Sequence, residues 1–597
     1  MKPELLMGNQ AIAMGAIRAG VGIVTGYPGT PSTEILETIA ARNPGNIYVE
    51  WSVNEKSALE VAAGAAYAGK RSMVTMKQVG LNVASDPCMS LAYIGVKGGM
   101  VIVVADDPGP ISSQTEQDTR HFAAYAKLPV FDPSSPEEAY LMIGDAFAYS
   151  EKYQTPVLFR PTTRVCHGSS SICLDNNIAA VAAEGFKKDA KWVIFPRLSY
   201  QNHLKVEARH PILAEDFSSY RFNKLTGRGK KGIVTGGISY AYTIENMEQL
   251  SGEVKLLKIA TPYPFPEKLA LEFLQGLDEV LVVEELDPVI EKELLCLCGK
   301  YRLDIIINGK LSGHIQKAGE NTVESVGRAL HDFLGLSAAD AAQPFSAPEL
   351  PVRPPVLCAG CPHRASFYAV KKAMKGQKAV FSGDIGCYTL GNASPLDMVD
   401  TCLCMGAGIT IAQGLQRAEA GVKQVAFVGD STFFHSGITG VINGVYNEAD
   451  MVLIVLDNST TAMTGHQPHP GTGRTMMGNL SGKISISKVL TALGVQYVAS
   501  CNPFDLELSR ETVKKAAAHK GLAAVIFEAP CIAIMKPHPA YQVDADKCTG
   551  CKICIKELGC PAMILTDDKA YIEPSLCNGC SICAQVCPFD AIGGADK

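Results

Sequence analysis

The sequence predicts a multidomain α/β fold built on parallel sheets, with a small cysteine-rich module at its C-terminus. The chain has 597 residues, which is too long for one hydrophobic core and favours roughly three to five domains. Short apolar runs alternate with helical patterns along most of the chain, as they do in parallel α/β sheets. Eight of the 20 cysteines fall within the last 50 residues, at the spacing of metal ligands.

Residues 1–195 are expected to form the first α/β domain. GVGIVTGYPG, SMVTMKQVG, GMVIVVADDPG and TPVLFRPTTRV each read as a buried strand followed by a turn. The opening segment, MKPELLMGNQAIAMGAIRAG, mixes acid and amide groups with apolar residues, which indicates an amphipathic helix and not a signal peptide. Residues 167–225 lack a clear pattern and are interpreted as a looser region.

Changes in composition mark the remaining domains. Residues 196–335 contain KKGIVTGGISYAYTIENM, VKLLKIATPYPFP and EVLVVEELDPVIEKEL, which predict a second, smaller α/β domain. Residues 336–355 contain five prolines and many alanines, as an extended linker does. Residues 356–539 predict a third α/β domain, with strands in KAVFSGDIG, QVAFVGDS, MVLIVLDNS and AAVIFEAP. Residues 540–597 form the cysteine-rich module.

Composition excludes several classes of function. A net charge of −6 without any Lys/Arg-rich run argues against nucleic acid as a partner. No apolar run approaches the length of about 18 residues that a membrane-spanning helix needs, so no membrane span is expected. The 12 cysteines outside the C-terminal module are scattered through apolar segments, as buried free thiols are. We therefore expect a soluble protein of the reducing cytoplasm.

The C-terminal module has the ligand spacing of a bacterial-type ferredoxin with two [4Fe–4S] clusters. Its second half reads C-x2-C-x2-C-x3-C-P, and its first half C-x2-C-x2-C-x5-C-P. In such modules three cysteines hold one cluster, and the cysteine before proline reaches the other. Cluster one is assigned Cys548, Cys551, Cys554 and Cys587. Cluster two is assigned Cys577, Cys580, Cys583 and Cys560. Two zinc sites are the alternative, but zinc requires neither the third cysteine nor the Cys-Pro pair.

The third α/β domain carries a candidate metal site. Gly429, Asp430 and Ser431 end one apolar strand, and Asn458 follows the next strand 28 residues after Asp430. Because ligands bind at the carboxyl ends of parallel strands, Asp430 and Asn458 are expected to converge on one cation, with the carbonyl of Thr460 as a third ligand. Oxygen ligands of this kind suit Mg²⁺. A strand-end turn without a ligand is the alternative.

Two turns near this candidate site are rich in glycine and cysteine. They are LCAGCPHR, from Cys358 to Arg364 with a preceding leucine, and SGDIGCYTLG, from Ser382 to Gly391. Both suit a close approach of the backbone to a ligand. The alternative for the first turn is a third metal site, formed by the CxxC pair together with Cys402 and Cys404.

Two segments of the first domain also predict a ligand site. GYPGTPSTEILETIAAR predicts a helix that starts at Thr30, with Thr30 as its N-cap and Pro31 at its first position. Such a helix N-terminus can bind an anion, although it is equally typical of a capped helix with no ligand. Glu55 precedes a helix of small residues, so its carboxylate is expected to be partly buried and able to share a proton. A favourable interaction with the helix dipole is the alternative.

Together these segments resemble the 2-oxoacid:ferredoxin oxidoreductases over essentially the whole chain. GYPGTPSTE is similar to that family's Tyr-Pro-x-Thr-Pro-Ser segment, and NEKSALEVAAGAA to the glutamate-containing helix of thiamine enzymes. LCAGCPHR resembles the family's Cys-Pro-Gly-Cys loop, with Ala359 in place of proline. GDSTFFHSG and LDNSTTAMTGHQPHPGTG resemble the thiamine diphosphate motif, with Ser431 in place of its second glycine.

The resemblance implies roles for individual residues. The domains 1–195 and 356–539 would bind the pyrimidine and diphosphate ends of thiamine diphosphate, and 196–335 would be transketolase C-terminal-like. Glu55 would hydrogen-bond the aminopyrimidine ring, as the catalytic acid–base group. Thr30 and Lys77 are the candidates for binding the substrate carboxylate. Mg²⁺ would be held by Asp430, Asn458 and the Thr460 carbonyl. The remaining implied cofactor contacts are Cys361, His363, Gly386, Cys387, Gly429 and Ser431.

The activity implied by the resemblance is CoA-dependent oxidative decarboxylation of aryl pyruvates (indolepyruvate, phenylpyruvate, hydroxyphenylpyruvate) to aryl-acetyl-CoA and CO₂, with reduction of ferredoxin. The same chemistry on pyruvate or a branched-chain 2-oxoacid is one alternative. An electron-transfer subunit with a degenerate thiamine site is another. The resemblance also implies a separate small (beta) subunit of about 200 residues, the size of one or two domains. A dimer of heterodimers is expected.

Overall fold

The computed structural model describes residues 3–175, 177–181, 183–248, 253–336, 348–419 and 421–594. The chain divides into two compact units, an N-terminal unit (Met1–Ser346) and a C-terminal unit (Ala347–Lys597). Of the segments described, none is a helix both long enough and apolar enough to cross a membrane.

The N-terminal unit alternates strands and helices. Its strands are β1 (Glu4–Met7), β2 (Ile23–Gly26), β3 (Tyr48–Trp51), β4 (Ser72–Lys77), β5 (Met100–Ala105), β6 (Val130–Phe131), β7 (Val157–Phe159), β8 (Ser169–Ile172), β9 (Lys224–Gly227), β10 (Lys231–Gly236), β11 (Val254–Ile259), β12 (Glu279–Val283) and β13 (Ile306–Asn308). Its helices are α1 (Gly8–Arg18), α2 (Thr33–Ala41), α3 (Glu55–Tyr67), α4 (Gln78–Val83), α5 (Ser85–Ile94), α6 (Thr119–Ala126), α7 (Pro136–Tyr153), α8 (Thr163–His167), α9 (Pro196–Ser218), α10 (Ile238–Met247), α11 (Glu267–Leu274), α12 (Val289–Tyr301) and α13 (Val323–Leu334).

The first sheet of this unit has six parallel strands in the order β3-β2-β4-β5-β7-β6. Every residue of the central strand β5, MVIVVA, is buried, as expected for a strand covered by helices on both faces. Because all six strands run the same way, the turns that follow them lie at one edge of the sheet. The four strands predicted for this domain are confirmed as β2, β4, β5 and β7.

The second sheet has the order β13-β12-β10-β11-β9, with only β9 antiparallel to its neighbour. Buried charged side chains connect it to the first sheet. Arg120 Nη1 donates to Glu284 Oε2 at 2.8 Å, just beyond the end of β12. Arg160, after β7, donates to Asp106 Oδ2 at 2.7 Å, and Glu285 lies in the same group with 5% of its surface exposed. These charged side chains are buried away from water, so the protonation of their carboxylates affects the stability of the unit.

The C-terminal unit contains a third sheet and the cysteine-rich module. Its strands are β14 (Ala379–Ser382), β15 (Lys423–Gly429), β16 (Met451–Asp457), β17 (Tyr497–Cys501), β18 (Leu522–Glu528), β19 (Tyr541–Val543), β20 (Met563–Thr566), β21 (Lys569–Ile572) and β22 (Ile592–Gly594). Its helices are α14 (Pro362–Ala373), α15 (Ala407–Ala418), α16 (Asp430–Thr432), α17 (Ile438–Tyr446), α18 (Ile486–Ala492), α19 (Leu506–Ala518), α20 (Ile553–Leu558) and α21 (Ile582–Val586). The sheet β14-β15-β16-β18-β17 is parallel, and the module has two antiparallel pairs, β19-β22 and β20-β21.

The expectation of a looser region at 167–225 is wrong for residues 196–218, which form the 23-residue helix α9. Asn202, Val206, Leu213 and Phe217 are its buried residues, at intervals of four, seven and four, so they form one face. Polar residues on the other face and an internal proline, Pro211, weakened the pattern in the sequence. The opening segment does contain the expected helix, α1, but Glu4–Met7 form β1, which pairs with β8.

The expected start of the helix at Thr30 is also wrong. Helix α2 begins at Thr33, and its N-cap is Ser32. The preceding residues form a turn, in which the N–H of Ser32 donates to the carbonyl of Gly29 at 2.9 Å. The N–H of Gly29 in turn donates to Thr33 Oγ1 at 3.0 Å, so the turn closes on the helix. Of the Pro/Ala-rich segment 336–355, residues 337–347 lie outside the described residues, and 348–355 are exposed without helix or strand.

Candidate active site and cluster sites

The carboxyl edge of the third sheet brings two acidic residues together. Gly429 on β15 pairs with Leu456 on β16, so the next residues, Asp430 and Asp457, lie side by side. Asp430 is 3% exposed, and its Oδ1 accepts the N–H of Ser431 at 2.8 Å. Asp430 then opens α16, which continues through a π-helical turn (Phe433–Gly437) into α17.

His469 orients the carboxylate of Asp430. Its Nε2 lies 3.1 Å from Asp430 Oδ2, and both side chains are buried. The N–H of Gly471 donates to His469 Nδ1 at 3.1 Å, which leaves Nε2 as the nitrogen that carries the proton. Asp430 therefore receives a hydrogen bond from a ring whose tautomer is fixed by the backbone, as ligands of metal sites commonly do. Sequence reasoning did not single out His469, although it lies within the quoted segment HQPHPGTG.

Asp457 is a second residue that sequence reasoning missed. Its carboxyl hydrogen-bonds that of Asp430. Burial, followed by the negative charge of Asp430, raises the pKa of Asp457 to about 6. Burial acts on Asp430 as well, but the hydrogen bond and charge of His469 outweigh it and hold the pKa of Asp430 below its usual value. The pair concentrates negative charge and oxygen donors at one point, which is the donor chemistry that Mg²⁺ prefers.

Asn458 lies beside this pair and is held by His363. Asn458 Nδ2 is 3.2 Å from His363 Nε2, and burial lowers the pKa of His363 to about 4. The imidazole is therefore neutral near pH 7 and accepts the amide N–H, which directs the oxygen of Asn458 away from the ring. That oxygen accepts the N–H of Thr460 at 3.2 Å, across a turn in which Ser459 has a left-handed backbone, φ 60°. The structure thus brings together the three residues proposed to bind Mg²⁺.

The glycines of this edge lie against Tyr388. A Cβ on Gly429 would be 2.6 Å from Tyr388 Cε1, and one on Gly386 would be 2.3 Å from the same atom. The hydroxyl of Tyr388 donates to the carbonyl of Ile385 at 3.0 Å. Neither position could carry a side chain without displacing the ring, so both glycines are required by this packing. Ser431 accepts a hydrogen bond from Thr461 Oγ1 at 2.9 Å.

Four thiols form a group near Asp430. They are Cys358, Cys361, Cys387 and Cys531, and the charge of Cys358 acts on each of the other three. Burial raises the pKa of Cys361 to about 12 and that of Cys387 to about 11. Cys387 and Cys531 thus lie within electrostatic reach of Cys358, while a third metal site formed by the CxxC pair with Cys402 and Cys404 stays a prediction from the sequence. Four cysteines with a CxxC pair are a ligand set that could hold an iron–sulfur cluster.

The cysteines of the C-terminal module also separate into two sets of four. A cavity is lined by Cys560, Cys577, Cys580 and Cys583. In the other set, the charges that act on Cys554 are those of Cys587, Cys551 and Cys548. Within the described residues no three His, Cys, Asp or Glu side chains are arranged to hold a single metal ion, and this includes both sets. A [4Fe–4S] cube places its thiolates further apart than one ion does, so a set of four cysteines can suit a cluster without the geometry of a single-ion site.

In the N-terminal unit, Glu55 is the first residue of α3 and is 6% exposed. The side chain of Asn54 caps the helix by accepting the N–H of Ser57 at 2.9 Å. The carboxylate of Glu55 fills the space over Gly80, where a Cβ would be 2.5 Å from Glu55 Oε1. Burial of this carboxylate agrees with the expectation from the sequence. Its place at the helix N-terminus also fits the alternative of a dipole interaction.

Lys77 and Thr30 share one hydrogen-bonding partner. Lys77 Nζ donates to the carbonyl of Ser112 at 3.1 Å, and Ser112 Oγ donates to the carbonyl of Thr30 at 3.1 Å. The N–H of Ser112 donates to Asp107 Oδ2 at 2.8 Å. Burial lowers the pKa of Lys77, while the charges of Asp107 and Glu55 act in the opposite direction. The ammonium of Lys77 thus lies within electrostatic reach of Glu55, at the same edge of the first sheet.

Three family models match the chain. Residues 14–192 match "Pyruvate flavodoxin/ferredoxin oxidoreductase, thiamine diP-bdg". Residues 384–527 match "Thiamine pyrophosphate enzyme, C-terminal TPP binding domain". Residues 570–593 match "4Fe-4S binding domain".

Known proteins match the chain from end to end. It is 43% identical to "Indolepyruvate oxidoreductase subunit IorA" of Methanothermobacter thermautotrophicus, over 98% of this chain and 96% of that protein. It is 42% identical to the protein of the same name in Pyrococcus abyssi, with the same coverage of both chains. Among solved structures, a 2-oxoglutarate:ferredoxin oxidoreductase from Magnetococcus marinus aligns at 20% identity with a TM-score of 0.47, covering 56% of this chain and 65% of that one.

Proposed function

Because the chain belongs to the 2-oxoacid:ferredoxin oxidoreductase family, we propose that it is the catalytic subunit for oxidative decarboxylation of an aryl pyruvate, with coenzyme A as acyl acceptor and ferredoxin as electron acceptor. The observation that carries the proposal is the end-to-end similarity to indolepyruvate oxidoreductase subunits. The class of enzyme, a thiamine-dependent iron–sulfur oxidoreductase, follows from the family matches at both ends of the chain.

Bound thiamine diphosphate supplies the carbanion that adds to the keto carbon and the electron sink for loss of CO₂. The residues proposed to hold it have the donors it needs. Asp430, Asn458 and the carbonyl of Thr460 would bind Mg²⁺ on the diphosphate, with Asp430 held by His469. Glu55, which is buried against Gly80, would share a proton with the aminopyrimidine ring.

Lys77 and Thr30 are proposed to bind the substrate carboxylate. The support for this role is that both hydrogen-bond Ser112, and that burial lowers the pKa of Lys77, so a nearby anion would stabilise its charged form. A carboxylate would compete with Asp107 and Glu55 for this cation. An aryl side chain is proposed from the names of the relatives.

The two cysteine sets of the C-terminal module are proposed to hold two [4Fe–4S] clusters, with Cys560 crossing to cluster two and Cys587 to cluster one. The cavity lined by the second set supports the crossed assignment. The relatives are named as subunits, so we propose that this chain also works with a partner, a small beta subunit of about 200 residues. A dimer of heterodimers, with ferredoxin as the soluble acceptor, completes the proposal.

A comparison of substrates tests the proposal. The chain is purified anaerobically with its beta subunit and assayed with indolepyruvate, phenylpyruvate and pyruvate, with a viologen as acceptor. We expect the aryl pyruvates to be turned over faster. Turnover of pyruvate or of a branched-chain 2-oxoacid at an equal or higher rate would refute the aryl preference and favour the alternative substrates.

Cofactor counts test the alternative of a degenerate thiamine site. We expect one thiamine diphosphate per chain and about eight irons from the tail clusters, with about four more if the four-thiol group holds a cluster. Absence of thiamine, combined with wild-type activity of Glu55→Gln, would favour an electron-transfer subunit.

A further inference from the structure

The segment that links Cys554 to Cys560 is two residues longer than its counterpart in the second half of the module. Helix α20 has six residues where its counterpart α21 has five; it ends at Leu558 and is followed by Gly559 in a left-handed conformation, φ 59°. We call residues 555–559 the crossing segment, because Cys560 directly after it is the cysteine assigned to cluster two.

Arg364 binds the end of the crossing segment. Its Nη1 donates to the carbonyls of Leu558 and Gly559, at 2.6 and 2.9 Å, and its Nη2 donates to the carbonyl of Leu357 at 2.5 Å. Carbonyls at the C-terminus of a helix lack partners within the helix, and a cation satisfies both their hydrogen bonds and their negative potential. Arg364 is 3% exposed, so this contact is sealed from solvent.

Two further contacts attach the crossing segment to the thiamine-binding domain. Leu558 is 1% exposed and packs in one apolar cluster with Ala365 on α14 and Leu506 on α19. Glu557 Oε2 lies 2.7 Å from Lys372 Nζ, about two helical turns beyond Ala365 on α14. A three-residue gap, as in the second half, would leave out part of this surface.

The cysteines assigned to cluster two lie on the same side of the module as these contacts. The cavity lined by its four cysteines is also lined by Ala359, Gly360 and Arg364 of the LCAGCPHR loop. Asn578, within the cluster-two motif, donates from Nδ2 to the carbonyl of Ala359 at 2.9 Å. A Cβ on Gly360 would be 2.8 Å from that of Asn578, so only glycine allows this approach.

The same loop leads to the candidate metal site. His363, next to Arg364 in the chain, accepts the hydrogen bond of Asn458. Adjacent residues of α14 therefore contact the crossing segment on one side and a proposed Mg²⁺ ligand on the other. The charge of Arg364 also acts on Cys560 and Cys580, both assigned to cluster two.

We propose that the lengthened crossing segment is a docking element, which binds Arg364 and α14 so that cluster two faces the thiamine-binding domain and takes electrons from it before cluster one does. This inference rests on the proposed function. Each transfer moves one electron: cluster two goes from the 2+ to the 1+ state and returns to 2+ as cluster one is reduced. Oxidation of the 2-oxoacid supplies the electrons, and ferredoxin removes them. The positive charge of Arg364 favours the reduced state of cluster two.

The test compares Arg364→Gln with the control Arg510→Gln in the complete, anaerobically purified complex. Arg510 is partly exposed on α19 and pairs within its own helix with Glu507. Redox titration with a chemical reductant, followed by electron paramagnetic resonance, gives the midpoint potential of each cluster. The signal of cluster two is identified as the one that Cys560→Ala removes. We expect Arg364→Gln to lower the midpoint of cluster two only, and Arg510→Gln to change neither.

Rapid freezing after mixing with a 2-oxoacid gives the order of reduction. We expect cluster two to be reduced before cluster one in the wild-type complex, and at least tenfold more slowly in Arg364→Gln. Cluster one reduced first, or unchanged potentials and rates in Arg364→Gln, would overturn the inference. If Arg364→Gln does not fold, the same measurement is made on Glu557→Gln. We expect slower reduction of cluster two in this variant, and a wild-type rate of reduction would overturn the docking role. The proposed function would be refuted if a chemical reductant reduces the wild-type clusters but no 2-oxoacid does. In that case the chemical titration still tests the effect of the Arg364 charge on the midpoint potential of cluster two.

Discussion

Replacing Glu285 with glutamine should make the N-terminal unit more stable at alkaline pH than the wild-type protein. Burial raises the pKa of Glu285 to about 7 from 4.5, and the charges of Asp132 and Glu320 add to the effect. A carboxyl with a raised pKa stabilises the folded state fully below about pH 4.5, and this contribution is lost as the pH rises through about 7. The shift corresponds to about 3 kcal/mol, of which about 2 kcal/mol is lost between pH 5.5 and 8.

Glutamine reproduces the neutral form of this side chain. Its oxygen can still accept the N–H of Asn321, which donates to Glu285 Oε1 at 3.0 Å. Hydrogen exchange of α13, which follows Asn321, measures local opening after correction for the intrinsic exchange rate. In the wild-type protein we expect protection to fall roughly thirtyfold between pH 5.5 and 8, because 1.4 kcal/mol is a factor of ten.

Glu285→Gln should remove this pH dependence, whereas Glu272→Gln, an exposed substitution on α11, should leave it in place. An unchanged pH dependence in Glu285→Gln would show that another group of the buried cluster titrates. Equal protection of the wild-type protein at both pH values would refute the reasoning itself.

Three further predictions concern the proposed cofactor sites. His469→Ala should weaken the binding of Mn²⁺, used as a probe for Mg²⁺, by about tenfold or more. His469→Gln should restore part of this affinity, because it returns an N–H to Asp430. Equal Mn²⁺ affinity in the wild-type protein and both variants, measured by electron paramagnetic resonance, would contradict the orienting role. Cys560→Ala should lose about four of the tail irons and the signal of cluster two, whereas loss of cluster one alone would show that the crossed ligation is wrong. Glu55→Gln should still bind thiamine diphosphate in calorimetry but lose activity by roughly a hundredfold or more, and full activity would exclude its acid–base role.

Much of the fold could be predicted because a strand buried on both faces needs a continuous apolar run. The runs that form β5, β15 and β16 are visible in the sequence for this reason, and so are the polar residues that follow them. Elements with only partial burial were harder to see. The short strand β6 has two residues, and α9 buries only one narrow face, so neither produced a clear pattern.

Local chemistry could not decide how the turn after β2 would fold. Thr30 and Pro31 have the residue types of a helix N-terminus, and the sequence placed the start of α2 there. Hydrogen bonds between Gly29, Ser32 and Thr33 close a turn instead. Several backbone conformations suit these residue types, and contacts with Ser112, distant in the chain, accompany the one adopted.

The sequence alone determined two features of this protein. One is the type of residue that follows each buried strand, and the other is the cysteine spacing of the C-terminal module. Those features are local, because strand burial and cluster ligation act over a few neighbouring residues. Only the tertiary structure decided which distant side chains meet, such as His469 with Asp430, 39 residues apart, and Arg364 with Leu558, 194 residues apart. Such partners depend on how loops and helices pack and on the direction of each side chain. No sequence period encodes that direction, so the docking of the crossing segment emerges only when the chain is folded.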